Sequence, residues 1–106
     1  MKKIIIGFVL ILSLSTSGIC NDVAKIITFN IRLDVTSDGA DNWDNRKDGL
    51  VDYVLSENAD FICIQEALFN QVAYIDSVLT DYKYIGVGRD DGKKAGEFMA
   101  LFYKES

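Results

Sequence analysis

The chain has 106 residues, 49% hydrophobic and 25% charged, with eight glycines and no proline. That suits one ordinary globular domain and excludes a disordered chain, a low-complexity tail or a Pro-rich linker. The net charge is −5 and there is no histidine. Without the first twenty residues, which hold Lys2, Lys3 and no acid, nine basic residues face 16 acidic ones, leaving no basic face for counterion-release binding of a polyanion.

Residues 1–20 read as a secretory signal peptide. MKK is a basic start, IIIGFVLIL (4–12) an apolar stretch, and SLSTSGIC supplies small residues near a cleavage point. The rival is a membrane anchor, but a span takes roughly 20 apolar residues and Ser13 interrupts sooner. Cys20 is a candidate lipid anchor and the only membrane link the sequence suggests, although Ile19 stands where lipoprotein signals carry a small residue. Cys63 is then the sole thiol of the body, residues 21–106, and is expected to be a small buried hydrophobe.

KIITFNIRLD (25–34) alternates. Ile27, Phe29, Ile31 and Leu33 share one face, and Ile26, Thr28, Asn30 and Arg32 share the other, a strand pattern. DVTSDGADNWDN (34–45) is a polar loop. In 45–59, Leu50, Val51, Val54 and Leu55 form one stripe of an amphipathic helix that Trp43 extends. DFICIQEA (60–67) reads as a strand buried on both faces. Residues 68–82 carry a second helical stripe, Leu68, Val72, Ile75, Val78 and Leu79. YKYIGVG (82–88) and FMALFYK (98–104) are strands joined across a polar turn, RDDGKKAGE (89–97), in which Arg89 reads as a solvated charge. The order β-α-β-α-β-β predicts an α/β layered fold.

In a parallel βαβ unit, functional residues gather at the carboxyl ends of the strands. Asn30 lies near the end of the first strand and Glu66 near the end of the second. Together they offer an amide and a carboxylate to a hard cation such as Mg²⁺ or Mn²⁺, which takes one or two carboxylates and keeps several waters. Taken alone, Glu66 reads equally as a solvated or capping residue and Asn30 as an amide bonding nearby backbone.

TFNIR (28–32), NWDNRKD (42–48), DFICIQEA (60–67), VGRDDGKKAGEF (87–98) and LFYK (101–104) resemble the endonuclease/exonuclease/phosphatase superfamily, the DNase I-like group. The resemblance runs from about residue 24 to residue 104, and its GRDDG-x3-GEF and LFYK pieces are similar to secreted or surface bacterial members. It implies the N-terminal part of a four-layer α/β/β/α sandwich, incomplete in this chain. It also implies roles: Glu66 as the main metal ligand, Asn30 at the metal and substrate phosphate, Arg32 near the phosphate, and Glu97 orienting a catalytic histidine. The implied activity is Mg²⁺-dependent hydrolysis of a phosphodiester or phosphomonoester. The histidine belongs to the second half of the family domain, so residues 21–106 are expected to be a truncated domain without turnover of its own. The non-enzymatic alternative is a remnant or a metal- or calcium-binding module.

Leu68 stands where DNase-like members carry a basic residue, and the body is acidic. Both favour a small phosphate ester over nucleic acid as substrate, and no protein partner is evident. Asp34, Thr36, Asp38, Gly39 and Asn42 mimic part of an EF-hand loop, but its twelfth position is Asn45 and no helix precedes it.

Overall fold

The structure, a computed structural model, describes residues 22–105. The expected signal peptide and Cys20 lie outside them. Strand β1 (Ile26–Asn30) leads through a 3₁₀ turn (Thr36–Asp41) to helix α1 (Trp43–Glu57). Then follow β2 (Phe61–Ala67), α2 (Phe69–Val78), β3 (Tyr82–Ile85) and β4 (Phe98–Lys104). One sheet has the order β1-β2-β4-β3. β1 and β2 are parallel, joined through α1, while β4 runs antiparallel to both β2 and β3. No helix among the described residues is long and apolar enough to cross a membrane.

The helices cover one face of the sheet. Ile62, Ile64, Phe98, Ala100 and Phe102 supply that face, and Leu50, Val51, Val54, Val72, Ile75 and Leu79 meet it from α1, α2 and the end of α2. Full burial of each such aliphatic contributes roughly 1.5–3 kcal/mol. Trp43 is buried at the start of α1 and meets Tyr74 edge-on at 5.9 Å between ring centroids. Asn42 caps α1 by accepting a hydrogen bond from the Asn45 backbone N–H at 3.0 Å.

The other face of the sheet is apolar and largely bare, with Ile26, Phe61, Ile85 and Met99 exposed. β2 is therefore buried fully on its helix side only, contrary to the two-sided burial expected of it. Cys63 shares the bare face and is a half-buried free thiol, not a fully buried one. Leu55, assigned to the apolar stripe of α1, is also exposed, because it sits past the edge of the arc facing the sheet. β1 ends earlier than its alternation suggested, since Arg32 turns the backbone left-handed at φ 56°.

Candidate active site

β1 and β2 pair with Asn30 opposite Gln65, so both strands deliver polar residues to one rim. β2 does not reach that rim in regular register. Ile64 pairs with Ala100 and Ala67 pairs with Phe98, so Gln65 and Glu66 together oppose the single residue Met99. This is a β-bulge, which bends a strand and re-aims its side chains. By strict alternation Glu66 would fall on the same face as Ile62 and Ile64, which are 0% and 1% exposed. The bulge gives that buried place to Ala67, also 0% exposed, and leaves Glu66 partly exposed with φ 63°. A carboxylate that would have been buried in the core at high cost is turned to the rim instead.

There Asn30 Nδ2 donates to Glu66 Oε1 at 2.7 Å. The other end of the amide, Asn30 Oδ1, accepts the Arg32 backbone N–H at 3.0 Å. The two contacts fix the amide's orientation, since a flipped group would set oxygen against carboxylate and NH₂ against N–H. Asn30 thus presents its nitrogen to Glu66 and spends its oxygen on the backbone. Among the described residues Glu66 Oε2 has no hydrogen-bond partner. One carboxylate, held at one oxygen and open at the other, suits a hard cation that keeps most of its waters. No group of three or more His, Cys, Asp or Glu among the described residues could form a protein cage.

The Arg32 guanidinium lies against Asp38, with Nε to Oδ2 at 2.7 Å and Nη2 to Oδ1 at 2.5 Å. This bidentate pair raises the arginine's pKa and lowers that of Asp38. Arg32 is therefore adjacent to Asn30 through the backbone while its charge is engaged on the 3₁₀ turn. In the EF-hand-like loop both Asp38 oxygens face Arg32, Asp34 Oδ2 accepts from Asn70 Nδ2 at 2.9 Å, and Asn42 Oδ1 accepts the helix-cap bond.

Gln71 ties the two strand ends together, and the sequence reading missed it. It is 0% exposed. Its Oε1 accepts the backbone N–H of Leu68 at 2.9 Å and of Asp34 at 3.0 Å. Its Nε2 donates to the Arg32 carbonyl at 3.0 Å. Arg46 on α1 holds the exit of β1, donating through Nη1 to the Ile31 carbonyl at 2.6 Å. A polar residue on the inner side of a helix was the available signal for Gln71.

Glu97 stands at the head of β4. Gln65, Glu66, Gly86, Val87, Arg89, Glu97, Phe98 and Met99 line one cleft of about 510 Å³, a volume typical of small-molecule sites. Arg89 is not an isolated solvated charge. Its Nη1 donates to Glu97 Oε2 at 2.7 Å, and its backbone N–H donates to the Glu97 carbonyl at 3.0 Å. The loop that carries Arg89 is tightly wound. A Cβ on Gly88 would lie 2.2 Å from the Ala95 carbonyl oxygen, and Gly96 adopts φ +82° against the Asp90 carboxylate. Asp91 Oδ1 accepts the backbone N–H groups of Lys93 at 2.7 Å and Ala95 at 3.0 Å.

Residues 27–106 match the Endonuclease/Exonuclease/phosphatase family. The chain belongs to that family. An endonuclease/exonuclease/phosphatase from Bacteroides vulgatus superposes with a TM-score of 0.76 and 43% identity, over 77% of this chain and 31% of that one. A mannosyl-6-phosphatase from Bacteroides thetaiotaomicron gives a TM-score of 0.74 and 36% identity, over 77% and 32%. A further family protein from B. thetaiotaomicron gives 0.73 and 36%, over 76% and 31%. The chain thus spans about a third of the length of these relatives. The four-stranded sheet with its two helices matches part of the endonuclease/exonuclease/phosphatase fold. Enzymes of this family are generally dependent on a divalent metal. Comparison with curated proteins gave no significant match.

Proposed function

We propose that this chain supplies the metal-and-phosphate side of a Mg²⁺- or Mn²⁺-dependent phosphoesterase acting on a small phosphate ester, in a protein exported from a bacterial cell. The observation that carries this reading is the bulge at Gln65–Glu66, which puts a carboxylate at the strand rim with one oxygen held by Asn30. Glu66 is the ligand, and Asn30 is the group that aims it. A bound divalent ion would polarise the phosphoryl group and offset charge developing on its oxygens. Arg32 stands beside that rim, where it would approach the phosphate only by sharing its guanidinium with Asp38. Glu97 keeps Oε1 without a hydrogen-bond partner among the described residues, a position from which to orient a general base. The acidic body favours a small ester, and the B. thetaiotaomicron relative described as a mannosyl-6-phosphatase points the same way.

No histidine lies within the 106 residues, so this chain by itself is expected to give no Mg²⁺-dependent hydrolysis of bis(p-nitrophenyl) phosphate. The non-catalytic reading draws on the lack of a three-ligand cluster among the described residues. Calorimetric titration with Mn²⁺ tests the metal role that the phosphoesterase reading gives Glu66. Binding by the wild type that falls at least tenfold in Glu66→Gln supports the phosphoesterase reading. Binding that ignores this substitution refutes it.

A further inference from the structure

Arg89 and Glu66 line the same cleft, and among the described residues no other lysine or arginine does so. The cleft therefore has a carboxylate on its β2 side, a guanidinium on its loop side, and Phe98, Met99 and Val87 as apolar lining. Glu97 holds Arg89 through one guanidinium nitrogen, Nη1. The Nε contact to Asp90 Oδ1 is long, at 3.4 Å, and Nη2 has no hydrogen-bond partner among the described residues. The backbone of Arg89 is pinned to Glu97 as well, and the wound loop behind it carries two glycines that side chains could not replace. A planar fork with one nitrogen anchored, on a residue that lines a cleft, is preorganised to receive an anion with two oxygens.

We infer that Arg89 is a substrate-recognition residue that donates to the non-bridging oxygens of the phosphoryl group, from the side of the cleft opposite Glu66. The inference rests on the phosphoesterase reading for the identity of the anion. In it, the cation at Glu66 and the guanidinium of Arg89 bracket one phosphate, and Glu97 sets the height of the fork. The apolar lining accommodates the carbon part of a small ester.

The test is an NMR titration of the full chain with inorganic phosphate, with and without Mg²⁺, following the Arg89 side-chain N–H. Wild type is compared with Arg89→Ala, Arg89→Lys and Lys93→Ala. The expected result is a shift of the Arg89 Nε–H signal. Phosphate should bind about tenfold more weakly to Arg89→Ala, with partial retention by Arg89→Lys. The Lys93→Ala change removes one charge from the same loop outside the cleft lining and should alter binding less than twofold. Equal weakening by Lys93→Ala, or unchanged affinity in Arg89→Ala, would overturn the inference while Mg²⁺ binding at Glu66 still stood. If Mg²⁺ does not bind, the phosphoesterase reading fails instead. The metal-free titration then decides Arg89: a phosphate-dependent shift supports an anion site, and its absence overturns one.

Discussion

Asn30 Nδ2 and Glu66 Oε1 meet at 2.7 Å across the carboxyl ends of two parallel strands. The contact depends on a helical crossover that makes β1 and β2 neighbours, and on a bulge that turns Glu66 away from the core. Asn30 in turn closes on the Arg32 N–H. Replacing Asn30 with Ala removes a hydrogen bond to a charged group, worth about 1.5–3 kcal/mol before solvent exposure reduces it. The expected outcome is a modest loss of stability and about tenfold weaker Mn²⁺ binding, measured by thermal melting and calorimetry. Unchanged Mn²⁺ affinity would show that Glu66 needs no aiming.

Gln71 should be the more sensitive position for stability. The substitution Gln71→Met keeps the volume but strands the Leu68 and Asp34 N–H groups and leaves the Arg32 carbonyl only a long contact from Arg46 Nη2 at 3.5 Å. At roughly 1–3 kcal/mol per unsatisfied buried group, and with solvent reaching some of them, a loss of about 2–4 kcal/mol is expected. Chemical denaturation measures it. A loss under about 1 kcal/mol would mean that the strand ends do not depend on this amide.

Acid should loosen the 88–97 loop. The Asp91 carboxylate is held below its ordinary value of 3.8 first by the Ala95 backbone N–H and then by that of Lys93. A lowered folded pKa stabilises the loop above the unfolded value, and that contribution is lost as pH falls through the folded one. Amide exchange at Lys93 and Ala95 should therefore lose protection as pH drops below about 3.8. Asp91→Asn should remove that pH dependence, and its persistence in the variant would assign the effect to another group.

The bare sheet face should behave as an apolar surface. Ile26, Phe61, Ile85 and Met99 are exposed on it, and such patches bind dyes and associate. The chain is expected to bind an anilinonaphthalene dye and to associate at micromolar concentration. Met99→Lys should reduce both, and a dye-silent monomer would contradict this.

Much of this architecture is legible in the chain itself. Alternation of period two locates β1, and the apolar run 98–104 coincides with β4. Stripes of helical spacing find α1 and α2 within a few residues. The order of the motifs brings Asn30 and Glu66 to one rim. What escapes sequence is set by pairing partners. The bulge at Gln65–Glu66 exists only relative to Met99 on β4. The alternation of FICIQEA therefore cannot reveal that Ala67, and not Glu66, completes the buried face. Arg89 reads as a loop charge until the turn is closed and Glu97 stands beside it. Gln71 reads as an ordinary helix residue until the chain leaving β1 supplies the Arg32 carbonyl. Leu55 shows the converse, an apolar residue just outside the arc that faces the sheet.

The central claim is that the bulge delivers Glu66 as the metal ligand. Anomalous diffraction from a Mn²⁺-soaked crystal tests it most directly. The account predicts a manganese peak within about 2.0–2.3 Å of a Glu66 carboxylate oxygen, with Asn30 holding the other oxygen and water filling the remaining positions. A peak on the Asp34–Asp38 loop, or none near Glu66, would contradict it.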